Sequence, residues 1–347
     1  MSSASNAPEI KPVPPEVAAA QHVMQLGTGY VASTVMFLAA RLRLADRLAG
    51  GPATAAALAR DTGVNEDALY RVLRAAASLG VFEETAPRTF SNNLASSQLR
   101  AGVPGSLYDM VLWISDPFHF QVYAHAQHSL ETGQSAVEKA VGVPVFEYFP
   151  KNPEESEIFN NAMTAFSAMV IPTVLETYDF SGIATIVDIA GGHGMVLTSI
   201  LQKYPSMRGV LFDLEHVLAG ARPRIESLGL AARCRTVTGD FFKAVPEGGD
   251  AYIMKHIIHD WDDERAAAIL TSIRKAMNPD GRVILVESII LPGNEPDFGK
   301  IIDLEMLLLP GGRERTGDEF RALFARAGFK TVRIIPTRSP LSVIEAR

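Results

Sequence analysis

From residue 183 onward the chain repeats one pattern: a short run of β-branched and other apolar residues, a turn that opens on an acid or a glycine, then a segment with helical spacing. The first run, residues 183–189, ends in Val187-Asp188-Ile189-Ala190-Gly191-Gly192-His193-Gly194, and a helix is expected to begin near Met195. Later runs end near Asp213, Gly239, Lys255 and Glu287. This alternation predicts an α/β fold with a parallel, doubly wound sheet. The last two runs, 330–335 and 341–345, lie close together across Pro336 and predict an antiparallel hairpin at the sheet edge.

The first half reads as helical. Residues 16–48 form one or two helices with Gly27 and Gly29 marking a break or a close helix contact. Thr54 is placed to cap a helix over 55–60, Gly63-Val64-Asn65 makes a turn, and 66–79 carries Leu69, Val72, Leu73 and Ala76 on one face before Gly80 stops it. Residues 81–90 resemble a β-ribbon around Ala86-Pro87-Arg88, which completes a winged-helix pattern. Two longer helices, 107–132 and 154–178, follow. The resulting division is a flexible leader at 1–14, a winged-helix module at 15–104, a helical linker and pocket region at 105–180, and the sheet domain at 181–347.

Charge alters the reading of the winged helix. Between residues 52 and 100 five basic residues face five acids, and the presumed recognition helix opens with Glu66-Asp67, so the module suits dimerisation better than phosphate contact. The whole chain of 347 residues carries a net charge of −7, which also disfavours a general nucleic-acid partner. Cys234 is the only cysteine, so neither an internal disulfide nor a thiolate metal cluster is available, and a reducing cytoplasm is the simplest location. Residues 31–44 are apolar but carry Arg41 and Arg43 and fall short of a membrane span, so no membrane partner is expected.

The strand ends carry the candidate chemistry. Gly191, Gly192 and Gly194 let the backbone approach a ligand, and Asp213 follows Asp188 at a spacing suited to a carboxylate that accepts hydrogen bonds from a ribose. Asp240 stands beside Phe241 and Phe242, an aromatic pair able to flank an adenine. Ala190 occupies the place of a first glycine, which weakens a dinucleotide reading and favours an adenosyl ligand. His256 and His259 are three apart, but the sequence offers no further ligand at suitable spacing, so no metal site is expected.

Lys255-His256-Ile257-Ile258-His259-Asp260-Trp261, Gly311-Gly312-Arg313-Glu314-Arg315-Thr316, Phe159-Asn160-Asn161-Ala162-Met163 and Phe212-Asp213-Leu214-Glu215-His216-Val217 occur together and in order. In these motifs the chain resembles the S-adenosylmethionine-dependent O-methyltransferases of the caffeic-acid and acetylserotonin type. The resemblance implies a class I methyltransferase sheet, a homodimer through the N-terminal domain, and S-adenosylmethionine as donor with S-adenosylhomocysteine as product. It implies His259 as general base, oriented by Glu287 and Glu314. An unperturbed imidazole near 6.5 is largely neutral at pH 7 and able to take a phenolic proton.

The same resemblance places Met163, Ser167, Leu214, Phe241 and Lys255 beside the cofactor with the glycines, Asp213 and Asp240. It places Trp113, Phe118, Phe120, Met163, Phe166, Asp260 and Met306 around a small aromatic substrate. Two alternatives remain open at this point. One is a relative that binds the cofactor but has turned to hydroxylation or decarboxylation; the other is a winged-helix regulator.

Overall fold

The computed structural model describes residues 13–347, so the leader lies almost wholly outside the described residues. The chain divides into two compact units, one up to Ala101 and one from Gly102 to Arg347; the helices of residues 105–180 belong to the second.

In the first unit, helices Pro15–Gly27 and Gly29–Arg41 meet at Thr28, where Gly27 and Gly29 announced a break. Strand β1 (Ala53–Thr54) leads into helix Ala55–Thr62, whose first turn is capped by the Thr54 hydroxyl accepting from the Ala57 N–H at 3.1 Å. Gly63 ends that helix at φ 72, a conformation that favours glycine. Asn65 caps helix Glu66–Ser78, which buries Leu69, Leu73 and Ala76. Strands β2 (Glu83–Ala86) and β3 (Thr89–Ser91) form the ribbon, and β1 adds a third antiparallel strand in the order β1-β3-β2.

The second unit carries strands β4 (Thr185–Ile189), β5 (Arg208–Asp213), β6 (Cys234–Thr238), β7 (Ala251–Lys255), β8 (Arg282–Ser288), β9 (Val332–Pro336) and β10 (Leu341–Ala346). Their order is β6-β5-β4-β7-β8-β10-β9; the first five are parallel, and β10 runs antiparallel to both β8 and β9. The hairpin forms as expected, and of its two strands β9 is the one at the sheet edge. Apolar β10, with Val343, Ile344 and Ala346 fully buried, is drawn inside the sheet, while β9 keeps Arg333 in solvent. Two apolar cores cover the two sheet faces.

One helical expectation is corrected and the other holds. The segment 107–132 is three helices, Tyr108–Ile114, Pro117–Tyr123 and Ala126–Thr132, because Pro117 cannot continue a helix and Asp116 starts a new one by accepting the His119 N–H at 2.8 Å. Helix Pro153–Thr177 forms within a residue of its expected bounds and is long and apolar enough by composition to cross a membrane. Its Val170, Ile171 and Val174 pack in the core against sheet residues such as Ile186 and Ile253.

Candidate active site

Strand order reverses at β4, which lies between β5 and β7, so a crevice opens beyond the carboxyl ends of these strands. A cavity of about 520 Å³ occupies this place. Its floor is the turn after β4. Ala190 stands at φ 53 and Gly192 at φ 58, and a Cβ on Gly191 would strike the side chains of Leu211 and Asp188. The Gly192 N–H donates to Asp213 Oδ2 at 2.8 Å and the Leu214 N–H to Oδ1 at 2.7 Å, so the second strand's acid is held at the crevice by the glycine loop.

Gly191, Gly192, Asp213, Leu214, Asp240, Phe241, Lys255, Met163 and Ser167 all border the cavity. Gly194 does not; it stands at φ 73 and starts helix Met195–Lys203. The aromatic side consists of Phe241, Phe242, Trp261 and Phe146. Phe242 meets Trp261 edge to face at 4.8 Å, and Phe146 stacks on the same indole at 5.5 Å. These faces and the two acids fit an adenosine, and the apolar floor leaves room for a small aromatic ring.

Trp113 and Phe118, read as substrate contacts, stand one layer behind the cavity. They are buried in a cluster with Phe149, Val122 and Leu308, and it is Phe149, Phe159 and Met163 that reach the cavity from that side. Phe120 is exposed. Phe166 packs against His256 at 5.1 Å and beneath the Lys255 ammonium at 5.3 Å. Met306 acts through its backbone, its carbonyl accepting the N–H groups of Gly311 and Gly312 at 2.9 Å.

That turn seats the histidine. A Cβ on Gly312 would collide with the carbonyl oxygen of His259, and the Arg313 N–H donates to the same oxygen at 2.8 Å. Arg315, completely buried, donates to the carbonyls of Ile258 and Trp261 and to Asp263, and so clamps the turn from below. Glu287, at the end of β8, accepts the N–H groups of Ile257 and Ile258 at 3.0 and 2.9 Å. The ring of His259 is bonded through Nδ1 to Glu314 at 2.6 Å, with Glu287 at 3.8 Å and Asp260 Oδ1 3.5 Å from Nε2. Neither acid pairs with Arg313 or Arg315, which take Glu319 and Asp263 instead.

The electrostatics correct the picture of a lone, neutral imidazole. Burial alone would lower the His259 pKa, but the charges of Glu287, Glu314 and Asp260 overcome it and hold the pKa at about 9. Burial raises Asp260 to about 7 and pushes Glu287 upward as well, while it lowers Lys255 to about 8. Asp188, buried under the glycine loop, rises to about 7 for the same reason and because Asp213 is near.

Several cavity residues went unread in the sequence. Asp188 was visible as the acid of the first strand end, and His193 as the odd residue of the loop. His193 stands 3.3 Å from the Thr164 hydroxyl, over Gly220, where any side chain would strike its ring. Phe146 and Phe149 gave no signal, and Phe159 stood only as the first residue of a family motif; Phe149 stacks on Phe159 at 4.7 Å, a contact that packing alone decides. Glu287 also brings a third potential metal ligand to His256 and His259, which sequence spacing did not show.

The comparisons with known proteins agree with this construction. Residues 123–330 match the O-methyltransferase domain model, and residues 24–101 match the O-methyltransferase dimerisation domain model. The chain is 42% identical over 325 residues to the phenazine O-methyltransferase PhzM of Lysobacter antibioticus, covering 94% of this chain and 95% of that protein. The crystal structure of LaPhzM superposes with a TM-score of 0.92 at 41% identity, over 96% of this chain and 99% of the other. CalO1, a methyltransferase in calicheamicin biosynthesis solved in its S-adenosylhomocysteine-bound form, is 30% identical with a TM-score of 0.81, over 96% and 99% of the two chains. With a family domain over most of its second unit and relatives matched end to end, the chain belongs to the S-adenosylmethionine-dependent O-methyltransferases.

Proposed function

We propose that this enzyme methylates a hydroxyl of a small, flat aromatic molecule without a metal, using His259 as general base. The observation that carries the reading is the buried His259–Glu314 hydrogen bond with Glu287 beside it, in a turn that Gly312 and Arg315 hold in place and whose neighbours His256 and Asp260 line the cavity. Bound S-adenosylmethionine supplies an electrophilic methyl group on a sulfonium. Asp213 and Asp240 are assigned to its polar groups, Phe241 and Trp261 to its adenine, and Met163 and Ser167 to the donor end. Phe149, Phe159 and Met163 give the acceptor an apolar, partly aromatic wall, in keeping with the phenazine relative.

Three carboxylates make His259 a stronger base than a free imidazole. A phenol near pKa 10 loses its proton to an ordinary imidazole with a deficit of about 10^3.5-fold; an imidazole held near 9 reduces it to about tenfold, and because that imidazole is mostly protonated at pH 7, transfer should rise with pH up to about 9. Glu314 fixes the tautomer through Nδ1 and stabilises the imidazolium that forms. The first unit serves as the contact for a homodimer, in keeping with its family match. A reducing cytoplasm suits the single buried Cys234.

The deciding experiment pairs single-turnover methyl transfer with calorimetry on His259→Ala. The expected result is cofactor affinity unchanged within about threefold and transfer slowed about 10²- to 10⁴-fold, the range that general-base catalysis supplies. Near-normal turnover in that variant would remove His259 from the chemistry.

A further inference from the structure

The carboxyl ends of β7 and β8 hold more ligating capacity than methyl transfer uses. His256, His259 and Glu287 each present one ligand atom, and the three atoms lie within 4.8 Å of one another. Glu287 is completely shielded from solvent, yet its Oε2 has no hydrogen-bond partner. Glu314 Oε2 and His256 Nε2 are likewise buried without a partner. A buried polar atom left unpaired costs about 1–3 kcal/mol and more when charged, so three such atoms around one imidazole leave lone pairs free for a cation that displaces the imidazole proton.

The backbone adds a second reason. His256 adopts φ 54, a region that a non-glycine residue enters at a cost of about 1–3 kcal/mol, and its N–H is tied to the Val286 carbonyl at 3.2 Å. The result is a ring turned onto His259, with centroids 4.5 Å apart, while one flank of the residue borders the cavity.

We propose that His256, His259 and Glu287 form a capture site for a divalent cation of the zinc class, and that the captured cation inhibits methyl transfer by occupying the lone pair of His259. The inhibitory half rests on the reading of His259 as the base. Two imidazoles and one carboxylate are a borderline donor set that selects zinc over magnesium or calcium, which require several oxygens. Zinc ligands at about 2.0–2.2 Å in a tetrahedron stand roughly 3.4 Å apart, so modest side-chain rotations close the observed spacing. Glu287, Glu314 and Asp260 supply negative potential; Lys255 is the opposing cation facing the cluster. Glu314, already bonded to His259, orients that ring from outside the metal shell.

The test uses the full-length protein stripped with EDTA. Zinc is titrated against a chromogenic chelator, and turnover is followed with zinc and after renewed EDTA. One zinc per chain is expected, with inhibition that EDTA reverses. His256→Asn and His256→Ala should each weaken zinc binding and raise the inhibitory zinc concentration at least about tenfold relative to their own basal rates, whereas His128→Ala, outside the site, should change neither. Cobalt titration of the unmodified protein reads the same site without a variant, through the visible absorption of a tetrahedral ion. Absence of stoichiometric zinc, or equal inhibition in the His256 variants, overturns the site. Zinc bound through His256 with turnover unaffected overturns the inhibitory role. An inactive His259→Ala protein that still takes up one zinc per chain with unchanged affinity overturns the cation site and leaves the base reading standing.

Discussion

The two ends of the crevice are built in opposite ways. The glycine-loop end is local: Asp188, the glycines and Asp213 come from consecutive strands, and one hydrogen bond from Gly192 to Asp213 joins them. The His259 end gathers a turn after β7, the tip of β8 and a loop after helix Phe298–Leu308, so that its key pair, His259 and Glu314, is 55 residues apart in sequence. A binding surface needs only backbone shape and one acid, which a short segment encodes. Tuning a base requires charges placed around a ring from several sides, and only a sheet with an inserted turn delivers them.

That contrast is sharpest when each end is broken separately. The largest effect is expected from His259→Ala, with transfer falling about 10²- to 10⁴-fold in single-turnover assays while cofactor titration is nearly unchanged. Gly312→Ala should come next, because its new methyl group must displace the His259 backbone. Overpacking of this kind costs about 1–3 kcal/mol, read as a lowered thermal midpoint, and turnover should drop further than binding because the imidazole moves with its carbonyl.

Asp213→Ala attacks the other end and should produce the reverse pattern. Cofactor affinity should weaken by about 1.5–3 kcal/mol in calorimetry, the range for lost hydrogen bonds to a charged group, with the fold intact. If His259→Ala abolished cofactor binding, or Asp213→Ala left it unchanged, the two ends would not be separable as described.

The smallest expected effect concerns stability away from both ends. Burial alone would lower the pKa of His119, but its bonds to Asp116 at 2.8 Å and Glu305 at 3.0 Å raise it to about 9. A raised pKa means that the folded state binds this proton more tightly than the unfolded chain. The stabilisation is therefore full below about 6.5, the unfolded value, and is lost as pH rises through about 9. The parent's thermal midpoint should fall more between about pH 7 and pH 10 than that of His119→Gln. Parallel curves for the two proteins would remove the ion pair from the account.

Much of the architecture was legible because its signals are short-range. Thr54, Asn65 and Gly63 mark helix ends through contacts within four residues, and the alternating runs after residue 183 announce a parallel sheet. The insertion of β10 between β8 and β9 was not legible: turn length shows that two strands pair, but not which of them is covered on its other edge. The substrate wall failed for a related reason. Trp113, Phe118 and Phe149 are equally apolar in sequence, and only the packing of several helices decided that Phe149 faces the cavity and the other two stand behind it.

The sequence by itself determined the glycine turn, the acids at the strand ends and the His259-Asp260-Trp261 turn, since each is a residue type at a fixed local spacing, while Glu287 and Glu314 entered only through the family resemblance. Tertiary structure decided what that histidine is. Its proton affinity is a sum of burial and three charges brought from separate segments, and Coulomb energies depend on distances that no local pattern contains.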